Sequence, residues 1–265
     1  MYKSFLFLAV LLIVITTPSC KNEKVDNNPS SSSITLNSYP LTIGYTWKYY
    51  TESHLIDSTG VNSQDQYYEN SLTTISDTSI NGVLSTKIQQ VDSNYAGNVH
   101  IAYTYYANQP DGFYALAVED IGGLFFFWLM PGIIEQPNAL LGNIQNPSGL
   151  DTVFIPDTAL KLLNFPSRLN DTWFSFEYNR PVPRIIKRKW LRDTTITTSA
   201  GVFNCLKLQM FWDRDDDLQP DSTSPVVYQY FSTKGLIKED VFIALTSSSG
   251  PLRLYRTTKL VWINF

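Results

Sequence analysis

The chain is poor in the residues on which most enzymes depend. It holds two cysteines and two histidines among 265 residues. His54 and His100 show no ligand-like spacing, and close pairs of the Cys-x-x-Cys or His-x-x-x-His kind are absent, so no zinc pattern can be read. There is no phosphate-cradling glycine loop and no Gly-x-Ser-x-Gly elbow. The expectation is a noncatalytic protein, although a carboxylate pair acting on a glycoside leaves no such signature. Charge is scarce too, at 17% of residues, with a net charge of −4. Nucleic-acid binding needs a basic footprint, so no nucleic-acid partner is expected. A long apolar run is also missing. The N-terminal run, Phe5 to Ile15, falls short of the roughly 20 residues that cross a bilayer.

That short run is nevertheless informative. Lys3 precedes it, and Thr16-Thr17-Pro18-Ser19-Cys20 ends it, which gives a basic start, an apolar core and a small residue before a cut. Residues 1–19 read as a secretory signal. Ser19-Cys20 resembles the lipobox of bacterial lipoproteins, in which the cysteine after the cut is lipid-modified and becomes N-terminal. Thr17 and Pro18 depart from the common Leu-Ala type. The resemblance implies a lipid-anchored protein of the cell envelope, at the outer membrane, with the periplasmic or surface side left open. It also implies three acyl chains on Cys20. Each buried methylene contributes about 0.8 kcal/mol, so such an anchor would not release spontaneously. Residues 20–36 begin with Lys21-Asn22-Glu23-Lys24 and continue in polar residues without apolar periodicity, the composition of a flexible tether.

The remainder is rich in aromatics (6 Trp, 16 Tyr and 15 Phe) and in Ser and Thr, with little helical periodicity. It should be mainly β, an antiparallel curved sheet or half-barrel with one or two short helices. If Cys20 is lipidated, Cys205 has no partner for a disulfide. Alternating Leu206, Leu208, Met210 and Trp212 share one strand face, and Leu41, Ile43, Tyr45, Trp47 and Tyr49 read as another. Asp157 would cap a short helix over Thr158–Leu163.

Two halves, 37–150 and 151–265, resemble each other. Tyr39-Pro40 through Trp47 matches Phe165-Pro166 through Trp173; Asn81-Gly82 parallels Ala200-Gly201; Tyr103-Thr104-Tyr105-Tyr106 parallels Tyr228-Gln229-Tyr230-Phe231. The second half carries Gly201-Val202-Phe203-Asn204-Cys205-Leu206-Lys207 and then Tyr230-Phe231-Ser232-Thr233-Lys234-Gly235-Leu236-Ile237-Lys238. This pattern resembles uncharacterised Bacteroidota lipoproteins. At fold level these are similar to the curved antiparallel sheets of the Lol lipoprotein carriers. No activity follows from that likeness.

Five features remain as candidate sites. Asp213, Asp215, Asp217 and Asp221 alternate as calcium ligands do, but Leu218 stands where glycine is expected and Pro220 stiffens the turn, so a solvated hairpin tip is the competing reading. Arg180, Arg184, Lys187, Arg188, Lys189 and Arg192 suggest a strand with a charged exposed face, able to touch lipid headgroups or acidic glycans. Leu124, Phe125, Phe126, Phe127, Trp128 and Met130 form either a buried strand, the wall of an apolar pocket or a partner surface. Triplets such as Asp151-Thr152-Val153 resemble Bacteroidota O-glycosylation sites and equally suit turns. Cys205, in a strand without a nearby base, reads as a packed residue. The functional expectation is a binding module that holds an apolar ligand or lipid; the alternative is a structural or protein-interaction lipoprotein of the envelope.

Overall fold

A computed structural model describes residues 34–56, 62–93, 99–121, 152–154, 159–178, 184–213, 215–221, 225–243 and 253–265, all within one compact unit. Among them the regular structure is entirely β. The strands are β1 (Thr46–Ile56), β2 (Asn62–Ile80), β3 (Val83–Ser93), β4 (Val99–Gln109), β5 (Gly112–Ile121), β6 (Thr152–Phe154), β7 (Leu160–Asn164), β8 (Thr172–Tyr178), β9 (Arg184–Thr198), β10 (Gly201–Trp212), β11 (Val226–Ser232), β12 (Gly235–Ile243) and β13 (Arg253–Asn264).

The strands form one antiparallel sheet in the order β6-β5-β4-β3-β2-β1-β13-β12-β11-β10-β9-β8. Two six-strand meanders are therefore joined where β1 pairs with β13. β7 lies off this path. It pairs with β5 from Gly112↔Asn164 to Ala115↔Leu160, and its Lys161 carbonyl accepts a 2.8 Å hydrogen bond from Ser175 Oγ in β8. The sheet thus curls until both ends reach β7. It is a nearly closed barrel rather than a half-barrel, and closure removes most exposed strand edge.

The sequence accounts for much of this. In β10, Leu206, Leu208 and Met210 are buried while Lys207 and Gln209 point outward, as alternation requires. Asn81 and Gly82 both have positive φ, 50° and 79°, which suits a two-residue hairpin turn of the right twist. Two expectations need correction. Leu160–Leu163 are strand, not helix. Five residues cannot bury three leucines as a lone helical turn, whereas pairing with β5 buries Leu160, Leu162 and Leu163. Asp157 and Thr158 lie outside the described residues. The strand read from Leu41 begins only at Thr46, because a turn closes on the Thr42 carbonyl (3.1 Å from Tyr45 N) and leaves Ile43 exposed.

The two ends of the barrel differ. Two-residue turns at 81–82, 110–111, 199–200 and 233–234 gather at one end, together with 165–171. The strand ends Ile56, Ser93, Ile121, Tyr178, Trp212 and Ile243 lie at the other end. The turn end is stoppered by the segment before β1. Leu36 N–H donates to Ser167 Oγ (2.8 Å) and its carbonyl accepts from Ser167 N–H (2.9 Å). Asn108 holds Tyr39 in the same two-way fashion, at 2.9 and 2.8 Å. Tyr39 reaches into the interior, stacks on Phe113 at 4.4 Å and meets Phe231 edge-on at 6.4 Å. An aromatic chain runs from it through Phe231 and Trp190 to Trp173. Gly235 permits this approach: a Cβ there would sit 3.0 Å from Tyr39 Oη and 3.2 Å from Trp47 Nε1, and its φ is +96°. Each large side chain buried in this way contributes about 1.5–3 kcal/mol.

Candidate functional site

Beyond the aromatic layer the interior turns polar. Arg188, fully buried, donates from Nε to Ser175 Oγ (3.1 Å) and from Nη1 to Gln229 Oε1 (3.1 Å). Gln229 Nε2 donates to Glu239 Oε2 (2.9 Å), and Arg256 Nη2 donates to Glu239 Oε1 (3.1 Å). Thr258 stands opposite Glu239 and shares a 2.9 Å hydroxyl contact with Thr51. Thr51 donates to Asn70 Oδ1 (3.1 Å), Asn70 to Asp92, and Gln90 Nε2 to Asp92 Oδ2 (2.7 Å). A polar belt therefore crosses the interior from β8 to β3.

The belt's electrostatics follow from burial. Burial pushes the Glu239 carboxyl up, against the opposing pull of Arg256, Gln229 and Arg188. Burial lowers Arg188 to about 10, opposed by Glu239 and Tyr106, so it stays charged at neutral pH. Ser175 donates to the Lys161 carbonyl and accepts from Arg188, and neither contact can take its proton. This arrangement ties neighbouring strands together and makes the interior polar at this level.

The acidic loop after β10 gathers three of its four candidate calcium ligands. Asp213, Asp215 and Asp217 can each place an oxygen within 4.8 Å of the others, and Asp221 stands outside the group, its N–H bonded to the Trp212 carbonyl (2.9 Å). The fully buried Asp213 already accepts from Lys187 Nζ at 2.7 Å and from the N–H groups of Asp217 (3.1 Å) and Leu218 (2.9 Å). Lys187 also contacts Asp216. Calcium needs 6–8 oxygens at about 2.3–2.6 Å, and one of these carboxylates, Asp213, is already paired with the Lys187 ammonium. Burial would raise the Asp213 carboxyl, but Lys187 and the Leu218 and Asp217 N–H groups outweigh it and hold it below its ordinary value of 3.8.

The basic run is also taken apart by the fold. Lys187 is buried against Asp213 and Arg188 faces the interior, so an exposed charged face is not what forms. Only Lys189, half-buried, and Arg192, exposed, remain on the outside among the described members; the side chains of Arg180 and Arg184 lie outside them. Leu124, Phe125, Phe126, Phe127, Trp128 and Met130 lie outside the described residues, as do Cys20 and Asp151. Cys205 is fully buried, with its thiol pushed up to about 12 by that burial.

One cluster was missed at sequence level. Glu52, His54 and Asp65 bring ligand atoms within 4.8 Å, with His54 Nδ1 2.9 Å from Asp65 Oδ1. They sit on β1 and β2, and only the strand register His54↔Asp65 unites them.

No protein-family model matches the chain. No curated protein matches it either. Among solved structures, a predicted lipoprotein from Parabacteroides distasonis is similar at 15% identity and TM-score 0.43, over 85% of this chain and 97% of that one. A predicted exported protein with a YmcC-like fold from Bacteroides fragilis is similar at 13% identity and TM-score 0.43, over 86% and 99%. A β-barrel-like protein of a domain of unknown function from Brucella abortus is similar at 6% identity and TM-score 0.32, over 85% and 99%.

Proposed function

We propose that the chain is a lipid-anchored, noncatalytic lipoprotein of the bacterial envelope that works through its outer surface as an interaction protein. The observation that carries the second part is the filled barrel. Trp47, Trp190, Arg188, Tyr49, Phe113 and Phe231 are all fully buried within it. Tyr39 closes the turn end, and the polar belt crosses the middle. An acyl chain along this axis would have to displace them. The first part rests on Ser19-Cys20. The two meanders read as copies of one module, since Trp47 and Trp173 fall in the first strand of each.

A second reading keeps the apolar ligand. Its carrier would be the run 124–130, which lies between β5 and β6 in sequence and outside the described residues.

Fractionation of cells without detergent tests the anchor. The Cys20→Ala precursor should leave the membrane fraction and retain the β-sheet circular dichroism of the wild type. Its persistence in membranes would refute anchoring through Cys20.

A further inference from the structure

The outer surface carries a basic row that no stretch of sequence displays. Strand pairing sets Arg192 opposite Lys207, Lys207 opposite Tyr230, Tyr230 opposite Lys238, and Lys238 opposite Lys259. Four cations thus stand at one level across β9 to β13, over roughly 19 Å at about 4.8 Å per strand. Two of the pairings, Arg192↔Lys207 and Lys238↔Lys259, set like charges directly opposite each other, which destabilises a sheet. Lys238 has a partner in Asp240 at 2.7 Å. Among the described residues no carboxylate forms an ion pair with Arg192, Lys207 or Lys259. Lys207 instead lies 3.7 Å from the Tyr228 ring centroid and 5.7 Å from that of Tyr230, and Lys238 lies 5.4 Å from Tyr230.

The first meander provides an internal comparison. There Lys87 pairs with Tyr105 and lies 4.0 Å from the Tyr103 ring centroid, the same arrangement of one lysine on two tyrosines. Lys87, however, is neutralised by Glu119 at 2.8 Å, and Ser76 and Ala117 occupy the flanking row positions. One meander closes this arrangement with a carboxylate. The other sets a single carboxylate, Asp240, beside four cations; it pairs with Lys238 and leaves Arg192, Lys207 and Lys259 without an ion pair among the described residues, on a protein whose net charge is −4.

We propose that this row is a docking strip for an acidic polysaccharide, a linear chain bearing a carboxylate on each sugar. The row runs around the convex outside of the barrel, so a flat membrane would touch only part of it, whereas a flexible chain can follow it. The tyrosine faces are covered by Lys207 and Lys238, which leaves no platform for stacked bases and disfavours single-stranded nucleic acid. The inference does not depend on the anchor, because binding is measured in solution.

The test is binding of polygalacturonate oligosaccharides to the full chain in dilute detergent, by isothermal titration calorimetry at low and physiological salt. Binding should weaken steeply with salt. The variant Arg192→Gln/Lys259→Gln should lose about tenfold or more in affinity, because both cations are exposed and removable without touching the core. Lys87→Gln should bind as the wild type does. Neutral dextran oligosaccharides should not bind. Absence of polygalacturonate binding, equal binding by the double variant, or binding of oligothymidylate or polyglutamate as tight as that of the polysaccharide would overturn the proposal.

Discussion

Trp47→Ala should be among the most damaging single changes, lowering unfolding free energy by about 3–5 kcal/mol, the range for truncating a large buried aromatic. Trp47 is fully buried, its Nε1 donates to the Lys234 carbonyl at 2.7 Å, and its ring meets Tyr39 at 6.1 Å and Tyr45 edge-on at 6.4 Å. The alanine variant leaves a cavity where the stopper, β1 and the β11–β12 turn converge. It also frees the Lys234 carbonyl from its partner. Trp262→Ala is the matched control. That ring is 44% exposed on the outer face, so its loss should stay within about 0.5 kcal/mol, apart from the contact with Lys48. Urea denaturation followed by fluorescence measures both. Equal effects would mean that the stoppered aromatic layer does not organise the barrel.

Asp213→Ala carries the second large effect, about 3–5 kcal/mol, because it leaves the Lys187 ammonium buried without its main countercharge. Removing both charges in Asp213→Ala/Lys187→Met should recover part of that loss. Full recovery is not expected, since Asp213 also accepts from the Asp217 and Leu218 N–H groups. The pair has a defined pH signature. The folded-state value of Asp213 is depressed, so its stabilisation is complete above the unfolded value near 3.8 and is lost as pH falls through the lower folded value. Stability of the wild type should therefore drop more steeply below pH 3.8 than that of Asp213→Asn. A parallel acid limb in the two proteins would show that Lys187 and Asp213 do not form the buried pair.

What could be read along the chain was whatever depends on neighbours in sequence. The alternation of Leu206, Leu208 and Met210 specified a strand and its faces, and Asn81-Gly82 specified a turn. Leu160–Leu163 misled because a short leucine run has no period of its own, and pairing with β5 decided its conformation. The run from Lys187 to Arg192 misled for another reason. Charge density suggested an exposed face, but alternation sends Arg188 inward toward Gln229, and Asp213 draws in Lys187. A lone arginine among Ile186 and Trp190 is the one local hint that it belongs to an interior face. The buried belt, the Glu52–His54–Asp65 cluster and the outer row from Arg192 to Lys259 are products of register between strands distant in sequence, and no local pattern marks them.

Native mass spectrometry of the chain isolated from membranes tests the central claim most directly, that an envelope lipoprotein is anchored at Cys20 and fills its barrel with its own side chains. The account predicts a polypeptide beginning at Cys20, heavier by covalent acyl groups on that residue, with no further lipid surviving release from the micelle. A stoichiometric noncovalent lipid, or an unmodified Cys20, would contradict it.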